Sequence, residues 1–241
     1  MIKNLKNKKL ISFAPREEGT IKKPIIINFY NKMEKKHNNK GVGAGGAKTN
    51  ENGLAYEYNT DLNSEFDVVK SDIIDNTKSK KNKSNICRTI KFKKDYNNNR
   101  KFLCLPKGAL YKWMEKQGER NTDIVKAHGC KEPDEAYCYP SHNGKGGILF
   151  IVEKKCQTCP GSVCEKLPSA CFKKSHYKKQ FPNYKIYYIY SLSDWFNNNC
   201  KAELEYLDEN NIKYFWGNTE EYKNKLVKFI LETVEINLNS K

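Results

Sequence analysis

The chain has 241 residues, a formal net charge of +16 and a pI of about 9.3. This length suits one domain with a sizeable core, and because the sequence has no run of about 18 apolar residues, we expect no transmembrane helix and no membrane partner. The segment Met1–Leu5 lacks the long apolar region of a secretory signal, so we expect an intracellular, cytoplasmic protein. A basic surface concentrates polyanions, which favours a nucleic-acid partner, although AT-rich coding DNA also yields Lys- and Asn-rich chains.

The nine cysteines are predicted to be free thiols. Their number is odd, so they cannot all pair internally, and a chain without a secretory signal favours a reducing compartment with no disulfides. A structural zinc site remains an alternative, because Cys156-x-x-Cys159 has a zinc-ligand spacing and Cys164, Cys171 and His176 follow it. The second cysteine pair is irregularly spaced, however, which favours ordinary thiols.

Residues 1–48 are predicted to form a basic, largely irregular segment ahead of a single domain over residues 49–241. The first 50 residues carry 11 Lys and one Arg against three Glu, a net charge of +9. Gly41–Thr49 is glycine-rich, but Lys48 follows alanine and no buried strand precedes it, so the pattern does not match a Walker phosphate loop. We expect a flexible loop whose backbone N–H groups and Lys48 contact DNA phosphates, with a plain linker as the alternative.

The middle of the chain predicts helices, a strand and a hairpin. Phe66, Val69 and Ile73 follow helical spacing, so we expect helical structure over residues 52–74, with a break near residues 59–61. Residues 78–85 are polar and charged and favour a loop. The other predicted elements are a strand over Ile86–Phe92, a helix over Pro106–Gln117, and hairpin strands over Ala136–Tyr139 and Ile148–Lys155.

The last third alternates between helix and strand patterns. The elements predicted there are a helix over Ser162–Gln180 interrupted near Pro168, a strand over Lys185–Ser191, a helix over Ser193–Asn210 with Ser193 as N-cap, a strand over Ile212–Trp216, and a helix over Thr219–Ile236 capped by Thr219. Alternation of this kind predicts an α/β fold with a mixed central sheet flanked by helices.

One sequence pattern indicates a metal-binding and catalytic site. Pro133-Asp134 is followed, after a glycine-containing turn, by the strand that ends in Glu153-Lys154-Lys155. Side chains alternate along a strand, so Glu153 and Lys155 project to one face and Lys154 to the other. Carboxylates bind a hard divalent cation, and an ammonium can orient the attacking water and offset developing charge. The pattern favours metal-dependent phosphodiester cleavage; the alternatives are a turn residue at position 134 and a solvated ion pair at the strand end.

This spacing resembles the signature of the PD-(D/E)XK nuclease superfamily. Gly41–Asn50 followed by Asn52–Glu57, and Gly161–Leu167 after the strand, are similar to motifs of a group of type II restriction endonucleases. The resemblance covers about residues 41–235 and departs at Cys164, where that group has an acidic residue. Similar sequences occur in bacteria and in large DNA viruses, for which the compartment would be the host cell.

The resemblance implies an αβββαβ core and sequence-specific, Mg²⁺-dependent cleavage of double-stranded DNA. It implies that Asp134 and Glu153 bind one or two Mg²⁺ ions, with the backbone carbonyl of Lys154 as a further ligand. Lys155 would position the attacking water and contact the scissile phosphate, and Glu57 would hold a second ion or a metal-bound water. The remaining site residues are Gln157, which would orient a neighbour, and the DNA contacts Lys48, Asn50, Ser162 and Lys166.

Such enzymes commonly act as homodimers, in which each subunit cuts one strand of a palindrome, and a cognate DNA methyltransferase acting on the same site is the implied partner. Two alternatives stay open at this point. One is a repair or recombination nuclease of the same fold. The other is a non-catalytic basic DNA-binding protein with a zinc site built from the clustered cysteines.

Overall fold

A seven-stranded mixed sheet forms the centre of the described residues, which are 47–74, 86–95, 98–142, 144–158 and 163–240. All of them belong to one unit that spans residues 43–241 in this computed structural model. The predicted basic segment therefore lies outside the described residues, except that positions 47 and 48 begin the first helix. The side chains of residues 47–50 and the predicted loop at 78–85 also lie outside the description.

The strands lie in the sheet in the order in which they occur along the chain. The first five form an antiparallel meander, and the last two add in parallel, so that β5 has an antiparallel neighbour on one side and a parallel neighbour on the other. The strands are β1 (Phe66–Ile73), β2 (Ile86–Phe92), β3 (Phe102–Cys104), β4 (Glu135–Pro140), β5 (Gly147–Lys155), β6 (Tyr184–Leu192) and β7 (Lys213–Trp216).

The described residues also form six α-helices and three short 3₁₀ turns. The helices are α1 (Ala47–Asn59), α2 (Ala109–Lys116), α3 (Ser169–Gln180), α4 (Trp195–Asn199), α5 (Lys201–Glu209) and α6 (Tyr222–Asn239), and the 3₁₀ turns are Lys93–Asp95, His128–Cys130 and Cys164–Lys166. This arrangement confirms the predicted α/β class with a mixed sheet flanked by helices. None of the described helices is both long enough and apolar enough to cross a membrane.

Strand β5 has apolar cores on both sides of the sheet. Leu149 and Ile151 pack in a cluster that includes residues of α2, α3 and α5, whereas Phe150 and Val152 pack in a second cluster dominated by α6. Burial on both faces explains why this strand has a continuous apolar run rather than an alternating one. The same burial fixes the register of the strand end that carries Glu153.

The predicted helix over residues 52–74 is wrong beyond Asn59. Helix α1 ends there, and Phe66–Ile73 is instead the edge strand β1, which pairs with β2. Of its eight residues only Phe66 is buried, so the apolar spacing does not mark the buried face of a helix. Pairing with β2 determines the structure where the pattern alone was ambiguous.

The later helices confirm the predicted order but correct several ends and caps. The predicted break at Pro168 separates the 3₁₀ turn from α3, and the predicted 193–210 helix is divided at Cys200, whose φ of −134° and ψ of 46° are not helical. Ser193 Oγ bonds the backbone of Gln157 instead of capping a helix. The hydroxyl of Thr219 donates to the Trp216 carbonyl, and the last helix begins three residues later than predicted.

The prediction that all cysteines are free thiols is wrong for two of them. Cys164 and Cys200 form a disulfide between the 3₁₀ turn before α3 and the junction of α4 and α5. Sequence could not indicate this pair, because the two residues come together only through packing of separate elements. Cys156 and Cys171 are free, as are the four buried cysteines of the described residues.

Reducing this disulfide will lower the free energy of unfolding by about 3–4 kcal/mol. The crosslink joins residues 36 positions apart, so it restricts the unfolded chain more than the folded one. Urea unfolding with and without dithiothreitol measures the difference. The Cys164→Ala/Cys200→Ala double variant should be insensitive to dithiothreitol, and an equal stability of the unmodified protein in both conditions would contradict the prediction.

Candidate active site

Asp134 and Glu153 lie on neighbouring strands at the same end of the sheet. Asp134 immediately precedes β4, and the pairing of Glu135 with Val152 places it beside the next residue of β5, Glu153. The backbone N–H of Lys154 donates to Asp134 Oδ2 over 2.7 Å, which fixes the aspartate against β5. Strands β5 and β6 run parallel and both end at this edge of the sheet. The site therefore lies at the carboxyl ends of parallel strands, where α/β sheets commonly bind ligands.

Two lysines contact a single oxygen of Glu153. The ammonium of Lys155 lies 2.7 Å from Glu153 Oε1, and the ammonium of Lys173 lies 3.1 Å from the same atom. The contact within the Glu153–Lys155 pair follows from strand alternation, as predicted. Lys173 was not predicted, because it lies on α3 among other lysines and no sequence pattern distinguishes it.

The environment of Asp134 disfavours its charge. The pKa of this carboxyl is raised from 3.8 to about 6. Burial is the largest cause and the nearby charges of Glu153 and Glu57 act in the same direction, while the bond from the Lys154 N–H and the charge of Lys155 oppose the change. A carboxylate held near others at a raised pKa is a common feature of cation-binding and catalytic sites. The site therefore has negative charge that a bound cation would stabilise.

Glu57, in the last turn of α1, lies close enough to Asp134 for its charge to raise the pKa of that carboxyl. Its carboxylate lies 3.2 Å from the ammonium of Lys107, and both side chains are partly exposed. Lys107 has a φ of 53°, in the left-handed region that a lysine rarely adopts, and its N–H donates to the carbonyl of Pro133 over 2.8 Å. Pro133, the first residue of the Pro-Asp pair, is thus bonded to the same residue whose ammonium pairs with Glu57.

Lys154, on the other face of β5, forms a buried network. Its ammonium donates to Glu135 Oε1 and to the backbone carbonyl of Glu57, each over 2.7 Å. The side chains of Lys154 and Glu135 are only 2% and 9% exposed. Tyr137 donates its hydroxyl to the second oxygen of Glu135 over 2.8 Å, and burial holds the pKa of that hydroxyl well above 10. This network attaches the end of α1 to the sheet.

A second contact holds α1 in place. The hydroxyl of Tyr56 lies 3.0 Å from Ser191 Oγ on β6. Gly217, just beyond β7, leaves space for the ring: a Cβ there would lie 2.7 Å from Tyr56 Cζ and closer still to its hydroxyl oxygen. Glu57 therefore depends on contacts that span three strands.

The other predicted site residues are less central. Gln157 lies beyond the end of β5, and its backbone N–H and C=O each bond Ser193 Oγ over 3.0 Å. Lys166 is exposed at the end of a 3₁₀ turn. Lys48 belongs to α1 rather than to the predicted flexible loop, and Asn50 belongs to the same helix. Ser162 lies outside the described residues. Roles for these residues remain predictions.

Among the described residues, only Cys164, Cys200 and Glu203 form a group of three potential ligands whose atoms lie within 4.8 Å of one another. Two of these are joined in the disulfide and do not offer thiolates. The predicted cluster of Cys156, Cys164 and Cys171 does not converge in this way among those residues, and Cys159 lies outside them. This part of the chain therefore gives no support to a structural zinc site.

The carboxylates of Asp134 and Glu153 fit Mg²⁺ by their chemistry. Mg²⁺ prefers hard oxygen ligands, retains several waters, and is commonly held by one or two carboxylates together with a substrate phosphate. Glu57 does not join them in a tight three-ligand group, so its implied part in metal binding stays a prediction. Comparison of the chain with protein-family models, with curated proteins and with solved structures gives no match.

Proposed function

We propose that this protein is a Mg²⁺-dependent endonuclease of the PD-(D/E)XK type that cleaves double-stranded DNA at specific sequences. The observation that carries the proposal is the convergence of Asp134, Glu153 and Lys155 at the ends of β4 and β5. Two carboxylates and an ammonium at one sheet edge supply the charges that phosphodiester hydrolysis requires.

The order of elements supports the same proposal. Helix α1, strands β3, β4 and β5, helix α3 and strand β6 occur in this order along the chain, with β1 and β2 between α1 and β3 and with α2 between β3 and β4. Apart from these additional elements, the order is compatible with the αβββαβ core that the resemblance implies. The resemblance also implies an aspartate followed by Glu-x-Lys on the next strand, and here Asp134 precedes β4 while Glu153 and Lys155 lie at the end of β5.

In the proposed mechanism, Asp134 and Glu153 hold Mg²⁺, which when bound would stabilise the charge that develops on the phosphate. Of the two lysines that contact Glu153, Lys155 is the more exposed. In the proposed mechanism it is therefore the lysine that turns toward the scissile phosphate and orients the attacking water. Glu57 adds negative charge at the edge of the site. The overall charge of +16 favours association with the DNA polyanion.

Cleavage assays on methylation-free plasmid and phage DNA test the proposal. We expect discrete fragments in Mg²⁺, with no products from Glu153→Ala or Lys155→Ala. Asp123→Ala, which removes an exposed carboxylate elsewhere, is the matched control and should cut normally. Smeared products that vanish in the two site variants would favour a repair or recombination nuclease, and a lack of cleavage across several DNA sources would overturn the proposal.

The proposed reaction also implies the quaternary state and partner. A homodimer would let each subunit cut one strand of a palindromic site, and a methyltransferase of the same specificity would protect the DNA of the producing cell. Light scattering of the protein with an uncleaved duplex measures whether a homodimer binds the DNA. Loss of cutting after methylation of the duplex by that methyltransferase would test the proposed partner.

A further inference from the structure

Glu153 Oε1 accepts hydrogen bonds from two ammonium groups that differ in their surroundings. Lys155 is at the end of β5 and its side chain is 25% exposed. Lys173 projects from α3 and is 13% exposed, similar to the 12% of Glu153 itself. A single carboxylate oxygen needs only one cation, so the presence of two requires an explanation.

Lys173 is confined by packing. A Cβ added at Gly129 would lie 3.2 Å from Lys173 Cε, so the lysine stem lies directly against the 3₁₀ turn that contains Gly129. One helical turn further along α3, the hydroxyl of Tyr177 donates to the carbonyl of Cys130 over 3.0 Å. The bond from Tyr177 joins α3 to that turn, and the turn lies against the Lys173 stem. The ammonium of Lys173 therefore has little freedom to leave Glu153.

We infer that Lys173 is a positioning residue that remains the permanent cation of Glu153, which leaves Lys155 free to move to the phosphate. The inference rests on the proposed function and divides the work between the two lysines. In the metal-free site, departure of Lys155 without Lys173 in place would leave a largely buried carboxylate with no cation, which is costly. With Lys173 in place, Oε1 of Glu153 stays oriented and Oε2 faces no described ammonium group within bonding distance.

The inference makes opposite predictions for metal binding and for turnover. In Lys173→Met, one competing cation is lost, so Mn²⁺ should bind the metal-free protein on the order of tenfold more tightly. The kcat for cleavage should fall on the order of 100-fold, because Lys155 is then held by Glu153 and is misplaced for the phosphate. If Lys173 had only a structural role, its substitution would weaken Mn²⁺ binding and lower kcat together.

The experiment measures the Mn²⁺ Kd by electron paramagnetic resonance without DNA, and kcat and KM with a cleavable duplex. Lys173→Arg should preserve both values, because it keeps the cation. Lys174→Met is the matched control: its ammonium bonds the carbonyl of Asn211 over 3.3 Å, away from Glu153, so neither value should change. If Lys173→Met lowers the Tm, Lys173→Gln is measured in its place.

An unchanged or weakened Mn²⁺ affinity in the charge-neutral variants would overturn the inference, and so would an unchanged kcat. The two proposals fail in distinguishable ways. If the unmodified protein cuts no DNA but the loss of the Lys173 charge tightens Mn²⁺ binding, the nuclease proposal is overturned while the pairing of Lys173 with Glu153 is supported.

Discussion

Lys154→Met will lower the free energy of unfolding by about 3–5 kcal/mol. The substitution leaves the carboxylate of Glu135 buried with no cation, and it removes the bond from the ammonium to the carbonyl of Glu57. Methionine fills a similar volume, so the loss comes from the uncompensated charge rather than from a cavity. Urea unfolding at neutral pH measures the change.

The double variant Lys154→Met/Glu135→Gln should recover a large part of this stability. Glutamine removes the orphaned charge and can still accept the hydrogen bond from the Tyr137 hydroxyl. Lys185→Met is the matched control, because Lys185 is exposed on β6, bonds an asparagine side chain and lies 5.8 Å from the centroid of the Tyr187 ring. Its effect should stay within about 1 kcal/mol. If the double variant is as unstable as Lys154→Met, charge burial is not the cause.

Asp134→Asn should make the metal-free protein more stable and, if the proposed function is correct, nearly abolish cleavage. Removal of one of the two carboxylates proposed to hold Mg²⁺ should reduce the cleavage rate on the order of a thousandfold or more, about 4 kcal/mol of transition-state stabilisation. Asparagine can still accept the N–H of Lys154, so the strand contact survives. Because burial raises the pKa of Asp134 from 3.8 to about 6, removal of its charge should stabilise the fold by up to about 3 kcal/mol at neutral pH.

The stability gain has a defined pH dependence. The folded protein holds the Asp134 proton more tightly than the unfolded chain, so the unmodified protein loses stability as pH rises from about 4 to about 6. The gain from Asp134→Asn should therefore be complete above pH 6 and disappear as the pH falls toward 4. Urea unfolding from pH 4 to pH 8 without metal measures this, with Asp123→Asn as control. A pH-independent difference would show that charge at position 134 is not its cause.

The sequence predicted the parts of the site that depend on local patterns. Strand alternation places Glu153 and Lys155 on one side and Lys154 on the other, and the structure gives them different partners accordingly. The hairpin of β4 and β5 was also predictable, because an apolar run, a glycine turn and a second apolar run leave few alternatives. These features involve residues close in sequence.

The contacts that complete the site depend on distant residues and were not predictable. Lys173 and Lys107 are two of many lysines, and only the packing of α3 and of the loop before α2 brings them to Glu153 and Glu57. Glu135 was outside the predicted site, yet its burial makes it the partner of Lys154. At residues 66–73 the local pattern favoured the wrong element, because strand pairing is decided by a partner elsewhere in the chain.

The space at Gly217 has a consequence for how this sequence can diverge. Tyr56 and Gly217 lie far apart in the chain, yet the ring of one occupies the volume that a side chain on the other would need. Relatives that retain a tyrosine at position 56 should therefore keep glycine at 217, whereas those with a larger residue at 217 should carry a smaller one at 56. In an alignment these two columns should vary together, although Gly217 lies outside every motif on which the resemblance rests.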